Sequence, residues 1–280
     1  MPTIAEKRQT FRRLHERGCF VIPNPYDIGT ARYLQGLGFK ALATTSAGFA
    51  FSRGLPDGAV PRAAMLAHIA EIVAATEVPV NADYEDGYAD DPAGVAESVR
   101  LCCETGVAGL SIEDSSGNPA EPLYPFDLAL ARVRAARMAI DKAGGDVVFT
   151  ARSEGFFCGR PDLAETVRRL KAYADAGADC LYAPGLKSRV EIAAVIAAVT
   201  PKPVNILIGG PSEFSVGDLE KLGARRISVG GALARAAWGG FVRVAKEITE
   251  QGRFDGFADA TPGADLNRFF AADFKERATS

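Results

Sequence analysis

The residues best suited to chemistry lie in Val80-Asn81-Ala82-Asp83-Tyr84-Glu85-Asp86-Gly87-Tyr88, where a short apolar run behind Pro79 gives way at once to three carboxylates and a glycine. Asp83 and Glu85 are two positions apart, so on an extended backbone their side chains point the same way. Two hard carboxylates so placed can hold a divalent ion such as Mg2+, directly or through its retained waters. The competing reading of these nine residues is a strand running into an acidic surface turn. What the other strand ends carry separates the two.

A buried parallel strand that surfaces at its C-terminal end delivers side chains in this way, and the chain repeats the pattern. Short apolar runs at 19–22, 41–44, 78–83, 109–112, 147–150, 180–183, 204–207 and 226–229 are each followed by a helical stretch, and a further amphipathic helix leads the chain at 3–17. Continuous apolar strands separated by helices imply a parallel sheet covered on both faces. Eight such units favour a closed (β/α)8 TIM barrel over an open doubly wound sheet. A dinucleotide-binding fold would want Gly-x-Gly-x-x-Gly after the first strand, where this chain has Pro23-Asn24-Pro25-Tyr26. The expected organisation is one barrel domain, 1–251, with a helical tail, 252–280.

Composition narrows the class. With 48% hydrophobic and 24% charged residues in 280, the chain reads as an ordinary soluble globular protein. A formal net charge of -3 gives no sign of nucleic-acid or anionic-membrane binding. No apolar run reaches membrane-spanning length, and the first thirteen residues lack a signal-peptide core. Five cysteines without framework spacing suit reduced thiols in a cytoplasm.

Because barrel strands open on one mouth, their C-terminal ends can be read as a single site. They carry Asn24 and Asp27, Thr45 and Ser46, Asp83 and Glu85, Glu113 and Asp114, Arg152 and Glu154, Asn205, and Gly230-Gly231. The acids of strands three and four, with Asp57 from the second loop, are hard oxygen donors suited to Mg2+ or Mn2+. Arg152 is a planar donor for a carboxylate or phosphonate. Thr45-Ser46-Ala47-Gly48 can offer backbone N–H groups and hydroxyls to a second anionic group. The implied ligand is a small dianion that also chelates the metal. His15 and His68 both fall in predicted helices, so histidine acid-base chemistry is not expected. No lysine stands in a predicted strand to form a Schiff base, and among the cysteines only Cys158 falls in a loop near the mouth. Metal polarisation of a carbonyl, with the resulting enolate held by cation and arginine, is the mechanism these residues permit best.

The segments Ala43-Thr44-Thr45-Ser46-Ala47-Gly48, Gly54-Leu55-Pro56-Asp57, Asp83-Tyr84-Glu85-Asp86-Gly87-Tyr88, Gly109-Leu110-Ser111-Ile112-Glu113-Asp114, Thr150-Ala151-Arg152, Pro203-Val204-Asn205 and Arg225-Arg226-Ile227-Ser228-Val229-Gly230-Gly231 follow in an order that resembles the isocitrate lyase/phosphoenolpyruvate mutase superfamily. That resemblance implies a Mg2+-dependent enzyme that makes or breaks a C–C or P–C bond beside a 2-oxo acid through an enolpyruvate-like species. It implies Asp83 as the principal metal-anchoring carboxylate, with Asp57, Glu85 and Glu113 acting directly or through water. Thr45, Ser46, Ala47 and Asn205 would meet the substrate, Arg152 would clamp its anionic end, and Arg152, Glu113 and Asp57 are the expected catalytic groups. It also implies a homotetramer whose subunits exchange the last barrel helix, with Leu266, Phe269 and Phe270 of the tail packing on a neighbour or on their own barrel.

Departures from the family pattern guide the choice of reaction. Glu85 stands where many members carry aspartate. The loop Ser115-Ser116-Gly117-Asn118-Pro119-Ala120-Glu121-Pro122-Leu123-Tyr124 has neither the cysteine of isocitrate and methylisocitrate lyases nor the lysine of the mutases, although Asn118 matches the mutase asparagine. Strand six ends in Ala183-Pro184-Gly185, where relatives place a glutamate or histidine. The resemblance is therefore to the carboxyphosphonoenolpyruvate phosphonomutase and oxaloacetate decarboxylase-like branch. The leading expectation is a lyase on a small 2-oxo acid resembling oxaloacetate. The alternatives are a phosphonomutase on a phosphonopyruvate- or carboxyphosphonoenolpyruvate-like substrate, and a 2-oxo acid-binding protein without turnover. Tyr84, Glu113 and a metal-bound water are the candidate proton donors.

Overall fold

The computed structural model describes residues 2–279. Eight parallel strands form one sheet: β1 Phe20–Ile22, β2 Leu42–Ala43, β3 Val80–Asp83, β4 Gly109–Glu113, β5 Val148–Arg152, β6 Cys180–Tyr182, β7 Val204–Leu207 and β8 Arg226–Ser228. Strands β2 to β8 pair consecutively and β1 pairs with β8, so the sheet curls into a barrel that is closed except between β1 and β2. Between β1 and β2 the backbone bond from Ala43 N–H to Pro23 C=O, 3.0 Å, crosses the gap. Asn24 reinforces this seam. Its Nδ2 donates to Thr44 C=O at 2.8 Å, while its Oδ1 accepts from Val229 N–H at 3.0 Å and Gly230 N–H at 2.8 Å. One buried amide thus joins the ends of β1, β2 and β8.

The helices are α1 Ile4–Leu14, α2 Ile28–Gly36, α3 Ser46–Ser52, α4 Arg62–Ala75, α5 Pro92–Glu104, α6 Phe126–Lys142, α7 Leu163–Asp175, α8 Arg189–Val199, α9 Val216–Lys221, α10 Ala232–Gln251 and α11 Gly263–Thr279, with a 3-10 turn at Asp255–Asp259. Their starts follow local chemistry: Thr3 with Glu6, Asp27 with Thr30, Ser188 with Glu191 and Ser215 with Asp218 each form a reciprocal cap, satisfying N–H groups that the first turn leaves unpaired. Asp91 caps α5 ahead of Pro92, which needs no donor at that position.

The main core fills the layer between strands and helices, from Leu42, Val80 and Leu110 outward to Met65, Val99 and Ile140. A second cluster closes the floor of the barrel, where Phe11 of α1, fully buried, meets Ile22, Ala41, Ala43, Ala108 and Val148. Burial of such a ring contributes roughly 1.5–3 kcal/mol. Gly109 permits its approach, since a Cβ there would stand 2.5 Å from the Phe11 ring.

Two elements go beyond the sequence reading. The segment after β2 forms α3, which Thr45 caps by accepting from Gly48 N–H at 3.2 Å. Helix α10 leaves the barrel: over its twenty residues only Ala234 is buried, and Trp238, Phe241 and Val242 are 41%, 64% and 40% exposed. By contrast α11 returns to its own barrel. Phe269 packs on Gly36 and Tyr33 of α2, and Asp273 pairs with Arg32, while Leu266 and Phe270 remain partly exposed. Among the described residues no helix is long and apolar enough to cross a membrane.

Candidate active site

Arg152, the last residue of β5, occupies the centre of the mouth. Register sets it opposite Glu113 on β4 and Tyr182 on β6. Its Nη1 meets Asp83 Oδ1 at 2.8 Å, its Nη2 meets Glu113 Oε2 at 3.0 Å, and its Nε meets Glu154 Oε1 at 2.8 Å. The guanidinium carbon also lies 4.9 Å from the Tyr182 ring centre. All three kinds of nitrogen are thus engaged by carboxylates. Arg152 organises the acids, and to clamp a substrate directly it would have to share or exchange one of them.

Asp83 is fixed from both sides. Its Oδ2 accepts from the backbone N–H of Ser46 at 3.0 Å and from Ser46 Oγ at 3.2 Å, and its own N–H donates to Thr44 Oγ1 at 2.9 Å. This alters the expected anion cradle: the Ser46 donors face Asp83, whereas Thr45 spends its hydroxyl on the cap. Thr45, Ser46 and Ala47 all line the deep cavity beside Asp83. Gly48 lets this turn seat against the barrel, because a Cβ there would lie 2.6 Å from Thr45 Cγ2 and 2.9 Å from Tyr26 Cβ.

Beyond β3 the chain turns sharply. Glu85 and Tyr88 take positive φ values, 46° and 57°, in a region that side chains other than glycine rarely adopt. Such strain persists where neighbours hold it, and they do here. Arg132, 1% exposed, donates to the carbonyls of Asp86, Ala89 and Asp90, and Tyr124 Oη donates to Asp90 Oδ1 at 2.7 Å. The turn places Glu85 at the mouth, where Tyr88 Oη donates to its Oε1 at 3.0 Å. Burial, with repulsion from Asp83 and Asp57, raises the Glu85 carboxyl to about 7 despite that hydrogen bond. Burial and the neighbouring Glu154, Asp83 and Glu85 lift Glu113 well above the carboxylate range, against the pull of Arg152. Asp57, in the turn before α4, is raised by desolvation and by Asp83.

Asp83, Glu113 and Glu154 thus surround one guanidinium, and Glu113 and Glu154 join Asp57 and Glu85 around a cavity of about 590 Å3, with Asp83 lining the deep cavity that adjoins it. Among the described residues no three acids, histidines or cysteines converge into a ready-made metal cage. The donor set still suits a hard cation that keeps most of its waters and takes one or two carboxylates directly, the usual habit of Mg2+. Burial first, and repulsion among the acids second, raise these carboxyls, and a divalent ion would favour their ionised form.

Asp114, next to Glu113, has a different task. It is buried, accepting from Glu154 N–H at 2.8 Å, Arg169 Nη1 at 3.0 Å and Tyr173 Oη at 2.7 Å. It ties α7 to the segment that presents Glu154 to Arg152. Asn205 lies deeper, fully buried in the barrel, donating to Ser228 Oγ at 2.9 Å and accepting from Arg226 Nε at 2.9 Å. Asn205, Arg226, Asn81, Ser228 and Tyr182 line a deep cavity of about 120 Å3, which shares Ser46, Asp57, Arg152 and Phe157 with the acidic one.

Tyr182 and Arg226 were missed because both sit inside strands rather than beyond them. Tyr182 supplies a polar wall where Ala183-Pro184-Gly185 had suggested none. Tyr84, a candidate proton donor, turns the other way: fully buried, its hydroxyl meets Ser98 Oγ at 2.9 Å beneath α5. Cys158 borders the acidic cavity 3.8 Å from Ser115 Oγ, and burial raises its thiol, which disfavours the thiolate. The histidines are structural. His68 stacks on Phe49 at 3.8 Å, and His15 donates from Nδ1 to the Phe11 carbonyl at 2.8 Å.

Comparison with known proteins places the arrangement. Residues 11–249 match the phosphoenolpyruvate phosphomutase family. The chain belongs to that family, within the isocitrate lyase/phosphoenolpyruvate mutase superfamily. A crystal structure from Burkholderia cenocepacia J2315, provisionally described as a lyase/mutase, is 50% identical with a TM-score of 0.91 and 96% of each chain covered. Oxaloacetate acetylhydrolase in complex with its product oxalate is 27% identical with a TM-score of 0.83, covering 99% of each chain. Oxaloacetate decarboxylase of Paraburkholderia xenovorans (strain LB400) is 29% identical over 79% of this chain and 74% of its own. Other family relatives are named as 2-methylisocitrate lyases and as a 2,3-dimethylmalate lyase. Enzymes of the superfamily are lyases and mutases that use divalent metal ions.

Proposed function

We propose that this chain is a Mg2+-dependent lyase that cleaves a C–C bond beside the 2-oxo group of a small dicarboxylate, with oxaloacetate the first candidate and Mn2+ an alternative ion. The observation that carries the reading is the acid cluster at the mouth, where Asp83, Glu113 and Glu154 hold Arg152 and Asp57 and Glu85 line the adjoining cavity. Asp83, with Asp57, Glu85 and Glu113 directly or through water, would hold the ion. When bound, the ion would polarise the 2-oxo group and lower the energy of negative charge developing on it.

The chain's own residues do the rest. Ser46 and Arg152 fix Asp83, and Asp114 with Glu154 fixes Arg152, so the site is assembled before substrate arrives, which favours electrostatic catalysis. The Thr45-Ser46-Ala47 turn and Arg152 would orient the substrate's carboxylate over the acidic cavity, and Asn205 its far end. Cleavage leaves an electron pair on the carbon next to the 2-oxo group, and that carbon must then take a proton. Glu113, which borders the cavity and whose carboxyl burial raises well above the ordinary carboxylate range, is the group placed to supply it where it reaches the ion only through water.

A phosphonomutase is less well supported. Asn118, the residue matching the mutases, is exposed and accepts from Ala120 N–H at 3.0 Å within its own loop. The exposed apolar face of α10 supports an oligomer, with a homotetramer as the form proposed.

NMR product analysis with oxaloacetate tests the function. Pyruvate with carbon dioxide, or oxalate with acetate, should form above background with Mg2+, and both EDTA and Asp83→Ala should abolish it. No turnover in the unaltered protein would overturn the assignment, and turnover unaffected by Asp83→Ala would remove the proposed metal anchor.

A further inference from the structure

Arg226 differs from the other cations of the site. It lies on β8, is 3% exposed and lines the floor of the deep cavity. Its Nε donates to Asn205 Oδ1 at 2.9 Å and its Nη1 to Asn81 Oδ1 at 3.4 Å, reaching across the barrel from β7 to β3. Both partners are neutral amides. Among the described residues Arg226 has no carboxylate within 4.0 Å, whereas Arg152 has three. Withdrawing a guanidinium from water costs several kcal/mol unless a counter-charge or strong hydrogen bonds offset it. The two asparagines orient this guanidinium but leave its charge unmatched, and the cavity above it is where a matching anion would fit.

We propose that Arg226 recognises the distal carboxylate of a dianionic substrate from the floor of the cavity, and so selects dicarboxylates over monocarboxylates. The inference rests on reading the mouth as a 2-oxo acid site. A cavity of about 120 Å3 equals roughly four waters at ~30 Å3 each, room for the acid end of a small molecule and not for a sugar or nucleotide. The planar fork suits bidentate contact with a carboxylate, and Asn205 and Asn81 act as positioning residues by fixing its plane. A consequence for the chemistry follows. A carboxylate lost as carbon dioxide gives up its charge, so a fixed cation upon it holds the ground state more tightly than the transition state. The assignment therefore favours cleavage that leaves both carboxylates in place.

Calorimetric titration of the full-length protein with malate and with lactate, at fixed Mg2+, tests this, because the two acids differ by the distal carboxylate. The unaltered protein should bind malate at least ~10-fold more tightly, the scale of a hydrogen bond to a charged group. Arg226→Met, which keeps apolar volume, should lower malate affinity at least ~10-fold and lactate affinity by less than about threefold. Arg226→Lys should restore part of the preference. A purely structural role would weaken both acids alike. Equal affinities in the unaltered protein, or a malate preference unchanged in Arg226→Met, would overturn the assignment, and Arg226→Gln serves as the deciding variant should Arg226→Met not fold. Malate preference without oxaloacetate turnover would sink the proposed function alone.

Discussion

Glu85 concentrates the chemistry of the mouth in one side chain. Its backbone is strained, its carboxylate accepts from Tyr88, and burial among other acids raises it to about 7. Without metal, the folded state holds this proton more tightly than the unfolded chain, whose carboxyl titrates near 4.5. Stability therefore falls as pH rises through the window from about 4.5 to about 7, because ionisation is less favourable in the folded protein. Metal binding runs the opposite way, since it needs the ionised form. Mg2+ affinity measured by calorimetry should weaken towards ~10-fold per pH unit below about 7 and level off above it. Glu85→Gln should remove that inflection. Affinity that is flat between about pH 6 and pH 8 in the unaltered protein would place Glu85 outside the metal's reach.

At the scale of elements, the mouth depends on the seam between β1 and β2. There the strands are short and Asn24 supplies bonds that the sheet ladder does not. Asn24→Ala would leave the Val229 and Gly230 N–H groups and the Thr44 carbonyl without their partner. An unsatisfied buried group costs about 1–3 kcal/mol, so a total loss of ~3 kcal/mol is expected in urea denaturation, allowing for some rescue by water. Asn24→Asp keeps the acceptor and should lose less. An Asn24→Ala variant within ~0.5 kcal/mol of the parent would show that the seam does not depend on this amide. The support behind Arg152 is equally indirect, because Asp114 acts through the backbone of Glu154 and never faces the cavity.

For the whole molecule, α10 is the feature that a lone barrel leaves unexplained. Trp238, Phe241 and Val242 stand exposed along it, with Phe254 and Phe257 following at 62% and 56%. An apolar surface of this kind marks an interface. Light scattering should find the chain oligomeric, a tetramer on the present reading, and Phe241→Glu should shift it to smaller species while leaving the far-ultraviolet spectrum unchanged. A monomeric parent would show that the face serves another partner. Helix α11 bears less on this, since Phe269 and Asp273 already anchor it to α2.

The barrel and the position of its mouth were legible in the sequence, because alternation of apolar strands with helices is a local pattern and parallel strands surface at a common end. That logic also located Asp83, Glu85, Glu113 and Arg152, which end their strands or follow directly. What each side chain faces depends on packing between distant segments. Only the tertiary structure directed Ser46 to Asp83, Tyr84 away to Ser98 and Asp114 into a support behind Glu154. Tyr182 and Arg226 stayed hidden for a related reason: in a short strand of a parallel barrel nearly every residue is buried, so composition does not distinguish one that fills the core from one that lines a cavity. That distinction arises from register between strands, which brings Asn205 beside Arg226 and sets Arg152 among its three acids.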